Sequence, residues 1–106
     1  MIEVTVVKRN GEYLAFESKG HAGFAEEGKD IICSAVSALT VNTVNSIDAF
    51  TEDVMHVNND EGYLAWEFLS GTSHETRLLM DSLVLGLSQI QDNYDKQFLK
   101  ITIKEV

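Results

Sequence analysis

The sequence has 106 residues, and its 44% apolar and 24% charged content is typical of one folded domain over residues 1–106. Its formal net charge of −9 argues against broad contact with nucleic acid, because phosphates are neutralised by clustered Lys and Arg, and it permits a basic partner. No apolar run approaches the roughly 20 residues that span a bilayer, and no signal peptide opens the chain, so we expect a cytoplasmic protein without a membrane segment.

A hairpin is predicted at the start of the chain. Residues 2–9 are rich in β-branched side chains, and residues 12–19 alternate loosely between apolar and polar, as strands do. Asn10-Gly11 joins them, and both residue types tolerate the positive φ of a type I′ turn.

A second hairpin and a last strand are predicted further along. Residues 53–57 and 63–68 flank an Asn/Asp/Gly-rich turn at 58–62. Residues 98–103 close the pattern as a strand.

Two helices lie between these strands. The first begins after Asp30, a favoured N-cap residue, and runs to about Phe50. The second covers residues 74–94. Its apolar residues occupy more than one face of the helix, which predicts that it is buried on more than one side, either inside the monomer or at a subunit contact. The order ββαββαβ, with two main helices and a sheet of about five strands, predicts an α+β two-layer sandwich.

The loop before the first helix carries the candidate catalytic residues. Gly20, Gly23 and Gly28 predict a mobile loop. Cys33, the only cysteine, occupies the third helical position, where the partial positive charge of a helix N-terminus favours a thiolate. His21 lies at the other end of the loop, so the pair fits a nucleophile and its general base. The same two residues also fit a small buried hydrophobe and an ordinary loop histidine.

Supporting roles are predicted for Asp30 and Ser37. Asp30 caps the helix or orients His21, and its charge opposes a thiolate unless the cap neutralises it. Ser37 lies four residues after Cys33 on the same helix face, where its hydroxyl can bond the thiolate, a substrate carbonyl or its own helix backbone. The first-turn N–H groups are expected to stabilise an oxyanion during acyl transfer.

No metal or cofactor site is predicted. His56 lies within a predicted strand and His74 in a polar first turn, and neither has partners at metal-ligand spacing.

Several short motifs together form a recognisable signature. They are the run Gly20-His21-Ala22, Gly28, the run Asp30-Ile31-Ile32-Cys33, Ser37 and Asn93-Tyr94. This set resembles the signature of the ribosomal-processing cysteine proteases called Prp, and the resemblance covers essentially the whole chain. Ile32 and Ser34 stand where Val and Ala are expected in the family, and neither difference affects a catalytic position.

The resemblance implies a small bacterial endopeptidase that removes an N-terminal extension from the large-subunit ribosomal protein number twenty-seven. Cleavage is then expected after a short apolar, aromatic-containing motif of this basic protein. Matched position by position, the resemblance makes Cys33 the nucleophile and His21 the general base, and it places Asp30 in an assisting role and Ser37 near the substrate. It also implies a homodimer and a glycine loop that shifts as substrate binds.

Two other functions stay open. One is a non-enzymatic binding module that assists ribosome assembly, with Cys33 buried. The other is a thiol redox sensor, which would need a disulfide between subunits because the chain has no second cysteine.

Overall fold

The computed structural model, which describes residues 1–26 and 29–106, has a five-stranded mixed sheet and two helices. The elements are β1 (Ile2–Arg9), β2 (Glu12–Lys19), α1 (Ile31–Phe50), β3 (Met55–Asp60), β4 (Tyr63–Phe68), α2 (His74–Asn93) and β5 (Leu99–Glu105). The strand order is β3-β4-β2-β1-β5, in which β1 and β5 are parallel and the other neighbours antiparallel. The predicted α+β class and the order ββαββαβ are confirmed.

The core lies between the sheet and the two helices. In β1 the buried residues Ile2, Val4 and Val6 alternate with more exposed ones, so one face of the strand points to the helices. Burying each such side chain stabilises the fold by about 2 kcal/mol. The same core includes Tyr13, Phe16, Ile32, Val36, Ile47, Trp66, Met80, Leu83, Leu87 and Leu99.

Packing holds α1 in its helical form, because the Thr and Val residues at its centre have modest helix propensity. The buried hydroxyls of Thr40 and Thr43 donate to the carbonyls of Val36 and Leu39, at 2.9 and 2.7 Å. These bonds satisfy the polar groups of a face that is otherwise apolar.

The length of α1 corrects one expectation. Among the residues described, this 20-residue helix is long and apolar enough to cross a membrane by length and composition alone. The statement that no apolar run approaches this length is therefore wrong for residues 31–50. Core helices pass the same test, and α1 buries Ile32, Val36 and Ile47 in the core.

The first hairpin confirms its predicted turn and explains the loose alternation of β2. Both residues of Asn10-Gly11 have positive φ, at 52° and 81°. The pairing with β2 shifts between Val7 and Lys8, which leaves an extra residue in β2. Because of this bulge, Tyr13 and Phe16 both point into the core although they are three residues apart.

The third strand differs from its prediction. β3 is Met55–Asp60, so the predicted strand at 53–57 and the predicted turn at 58–62 are wrong in their bounds. The turn needs only Glu61 and Gly62, because Gly62 adopts a φ of 65° that a glycine tolerates. Residues 58–60 pair with β4 although Asn and Asp have low strand propensity.

Asp53 lies before β3 and stabilises the start of α2. Its carboxylate accepts hydrogen bonds from the N–H and the hydroxyl of Ser73, at 2.8 and 2.7 Å, and from the hydroxyl of Thr76. Burial raises the pKa of Asp53, but these donors outweigh it and hold the pKa below its usual value. Ser73 is the N-cap of α2.

Candidate active site

Asp30 joins the loop before α1 to the first turn of that helix by hydrogen bonds. Its Oδ1 accepts from the N–H groups of Ile32 and Cys33, both at 3.0 Å, and its Oδ2 accepts from those of Phe24 and Ala25, at 3.0 and 3.3 Å. Burial raises the pKa of Asp30, and the four N–H donors outweigh it, so the pKa lies below its usual value. Within the described part of the chain, its carboxylate accepts no hydrogen bond from His21. Asp30 therefore caps α1 and also holds the loop in place through its hydrogen bonds to Phe24 and Ala25.

Cys33 is half-buried at the third position of α1. Its Sγ accepts a hydrogen bond from the N–H of Ala22 at 3.2 Å, which fixes the sulfur against the loop. Cys33 also lines a cavity of about 280 Å³. It is thus held in place and open to a ligand.

The expected oxyanion donors are not free in this structure. The N–H groups of Ile32 and Cys33 donate to Asp30, and the N–H of Ser34 donates to the carbonyl of Asp30 at 3.1 Å. The prediction that first-turn N–H groups bind the oxyanion is therefore wrong for these three, because the N-cap already uses them.

His21 lines the same cavity as Cys33 and is exposed. Its ring lies against the turn between β3 and β4, where a Cβ added to Gly62 would be 3.0 Å from Nε2. Among the described residues, the one hydrogen bond that Sγ of Cys33 accepts comes from Ala22 and not from His21. The two side chains share one cavity without a bond between them in this state.

The rest of the cavity comes from α1 and from the second hairpin. Ser37 lines it one turn after Cys33, and among the described residues its side chain makes no bond to a helix carbonyl. The lining from the hairpin, which the sequence analysis did not assign to the site, is Asn59, Asp60, Gly62, Tyr63 and Leu64. The Asn/Asp/Gly pattern there marked a turn, and no local signal indicated that the turn lies beside the loop that carries His21.

The loop is fixed at several of its described residues. Gly20 has a φ of 95°, its N–H donates to the carbonyl of Gly62 at 2.9 Å, and an added Cβ would lie 2.5 Å from the carbonyl oxygen of Met1. Phe24 packs edge-on against Tyr94 and Phe98, with ring centroids 5.6 and 5.3 Å away. Gly20 thus serves a close approach of two backbone segments.

The mobility predicted for the loop stays a prediction at Gly23, which has a φ of 73° and open space around its Cα. The same prediction for Gly28 lies outside the described residues.

The remaining histidines lie elsewhere. His56 borders a cavity of about 310 Å³ that includes neither Cys33 nor His21, and His74 begins α2. Among residues 1–26 and 29–106, no group of three or more His, Cys, Asp or Glu side chains could hold a metal ion.

The contact of His21 with Gly62 gives a first prediction. Gly62→Ala and Gly11→Ala both place a side chain at positive φ in a two-residue turn, and each is expected to lower the free energy of unfolding by about 1–2 kcal/mol. An added Cβ meets His21 at Gly62 and nothing within 4 Å at Gly11. We therefore expect kcat/KM for the reaction at this site to fall about tenfold in Gly62→Ala alone, because the ring is displaced. Equal kcat/KM in the two variants would show that the ring position does not matter.

A helix-bound thiol and an imidazole that face one open cavity are typical of cysteine peptidases. The chain matches the family model of the cysteine protease Prp over residues 1–99. It belongs to this family and is a cysteine protease, which confirms the resemblance seen in the sequence.

Relatives of similar length support the assignment. The ribosomal processing cysteine protease Prp of Bacillus subtilis strain 168 is 32% identical over 109 residues, which cover 96% of each chain. The protein of the same name from Staphylococcus aureus strain Mu50 is 27% identical over 99 residues, covering 91% of this chain and 93% of the relative.

Solved structures have the same fold. The S. aureus Prp with a covalently linked product peptide superposes with a TM-score of 0.92 at 25% identity, covering 98% of this chain and all of that one. The protein SMU.848 of Streptococcus mutans has a TM-score of 0.84 at 30% identity, covering all of this chain and 96% of its own.

Proposed function

We propose that this chain is the endopeptidase that removes the N-terminal extension of the large-subunit ribosomal protein number twenty-seven and so supports ribosome maturation. The observation that carries the proposal is that Cys33 and His21 line one open cavity, with the sulfur half-buried and held by Ala22. The names of the relatives, ribosomal processing cysteine proteases, support the substrate class.

The mechanism that we propose is acyl transfer through a thioester. His21 accepts the proton of Cys33, and the sulfur attacks the carbonyl carbon before the scissile bond. His21 then gives the proton to the leaving amine, and water attacks the thioester to release the carboxylate and the free thiol. No metal or cofactor takes part in these steps.

The oxyanion needs donors other than those bonded to Asp30. We assign this role to the N–H of Ala22, which donates to Sγ at 3.2 Å before the attack and can turn to the oxyanion once the sulfur has bonded to carbon, together with the hydroxyl of Ser37. Asp30 supports the reaction by fixing both Cys33 and the loop, without contact with the reacting atoms.

The surface suits the proposed substrate and a homodimer. The net charge of −9 attracts a basic ribosomal protein, and the apolar residues near the cavity suit an apolar, aromatic-containing cleavage motif. Leu78 and Leu85 lie one heptad apart on α2 and are 62% and 60% exposed, which supports a subunit contact there. With a ribosomal substrate, we place the enzyme in the cytoplasm, without a direct role for nucleic acid or membrane.

The experiment is incubation with the extended ribosomal protein, with the cleavage position read by mass spectrometry. We expect the wild-type protein to cut once, after the apolar motif, and His21→Ala to lower kcat/KM by about 10²–10⁴-fold. The alkylation rate of Cys33 by iodoacetamide at neutral pH should also fall in this variant. An uncut substrate would overturn the assignment, and a Cys33 that reacts only after denaturation would favour a binding module instead.

A further inference from the structure

The cavity at Cys33 continues into a groove along α1. A second cavity of about 460 Å³ lies between α1 and β3, and the two cavities share Val41, Asn59 and Leu64 in their linings. The groove therefore leads directly away from the nucleophile.

The walls of this groove are mostly apolar although nothing in the described chain covers them. Val41 and Val57 are 43% and 42% exposed, on the helix and on the strand. Val44, Met55 and Leu64 add further apolar surface, and Asp48 provides a carboxylate at the far end. Such a surface suits an apolar peptide segment that carries a basic residue.

The strand side of the groove is a sheet edge, since among the residues that the structure describes β3 pairs only with β4. The N–H of Leu69 donates to the carbonyl of Val54 at 2.9 Å, so the residues of β3 at even positions turn their backbone groups toward β4. The backbone groups of Met55, Val57 and Asn59 consequently point outward, without a strand partner.

The side chains of those same three residues line the groove. A peptide that pairs with the outer edge of β3 would therefore place every second side chain between β3 and α1. From Met55 to Asn59 the strand spans about 13 Å, which matches roughly four extended residues.

We infer that the substrate adds to β3 as a sixth strand, with apolar residues on the amino-terminal side of the scissile bond in the groove. This inference rests on the proposed function, and it adds the binding mode and the specificity residues Val41 and Val57. Edge pairing supplies affinity through backbone hydrogen bonds, and the alternate side-chain positions supply specificity. Because the groove opens into the cavity of Cys33, a peptide held there has its carbonyl delivered to the sulfur.

The test is Val57→Pro, which removes the outward N–H and keeps the bonds to β4. Proline is tolerated on an edge strand when its missing donor faces outward. Val57→Ala is the matched control, because it shortens the side chain and keeps the donor. We expect kcat/KM for the extended ribosomal protein to fall about tenfold more in Val57→Pro than in Val57→Ala, as one lost hydrogen bond to substrate implies. The melting temperature and the alkylation rate of Cys33 should match in the two variants, and equal kcat/KM would overturn the inference.

A binding experiment separates this inference from the proposed function. Twelve-residue peptides that span the processing site, each N-methylated at one backbone position, are titrated against Cys33→Ala protein by fluorescence polarisation. If the substrate adds as a strand, methylation at every second backbone position should weaken binding. Binding that does not alternate with the methylated position would overturn the inference. Alternation without cleavage by the wild-type protein would sink the proposed function and leave the binding mode intact. Loss of a dimer in Val57→Pro, measured by sedimentation, would instead assign the groove to a second copy of the chain and overturn the inference.

Discussion

Cys33→Ala is expected to lower the rate of peptide cleavage by a factor of about 10⁴ or more, because the proposed mechanism runs through a thioester on Cys33. Cys33→Ser keeps the shape of the side chain but makes a much weaker nucleophile, so a comparable loss is expected. The measurement is single-turnover cleavage of the extended ribosomal protein, together with the mass of any covalent adduct. Thermal melting should change little, since the side chain is only half-buried.

Ser37→Ala is the control for that result. Ser37 lies one turn along the same face of α1 and lines the same cavity, so its loss tests a polar side chain in the site without removing the thiol of Cys33. We expect the cleavage rate of Ser37→Ala to be about tenfold lower than that of wild type if its hydroxyl assists the oxyanion.

Cleavage that survives in Cys33→Ala would rule out Cys33 as the nucleophile.

Asp30→Asn is expected to reduce both stability and cleavage. An amide cannot accept the four hydrogen bonds that the carboxylate accepts, so we expect a loss of about 2–3 kcal/mol in the free energy of unfolding. Cleavage should fall by about 10²-fold, because Cys33 and the loop lose their common anchor. Urea unfolding and kcat/KM at neutral pH measure the two effects.

The pH dependence of the stability lost in Asp30→Asn provides a second test. The pKa of Asp30 in the folded state is below its ordinary value of 3.8, so its stabilisation is fully present above that value and is lost as the pH falls through the folded pKa. The stability gap between wild type and Asp30→Asn should therefore narrow below pH 3.8. A gap that is constant from neutral pH into acid would contradict the lowered pKa.

Asp53→Asn is a matched control for Asp30→Asn. Asp53 also has a pKa below its usual value and also accepts bonds at a helix start, but it acts on α2. The difference in the free energy of unfolding between wild type and Asp53→Asn should likewise become smaller at acid pH. The alkylation rate of Cys33 should stay at its wild-type value.

Local signals were enough to predict most of the fold. The turn at Asn10-Gly11 and the cap at Asp30 depend on a few neighbouring residues, and both are confirmed. The strand order and the bounds of β3 depend on pairing between distant segments. Asn58 and Asn59 look like turn residues until β4 lies beside them.

Some features of the candidate site could likewise be predicted from local sequence, and others depend on contacts between distant segments. Residue type and family resemblance were enough to single out Cys33 and His21, and the structure brings both to one cavity. The double use of Asp30 could not be predicted, because its loop contacts depend on how the chain folds back over α1. The contact of Gly62 with His21 could not be predicted either, because 41 positions separate the two residues in the sequence.

The parallel pairing of β1 with β5 has a practical consequence for expression. Ile2 lines the cavity of Cys33, whereas the N–H of Val106 donates to the carbonyl of Lys8 at the opposite end of β1. The two ends of the chain are thus about 20 Å apart along the strand direction. An affinity tag fused before Met1 would therefore lie close to the cavity of Cys33, and a tag placed after Val106 would lie away from it.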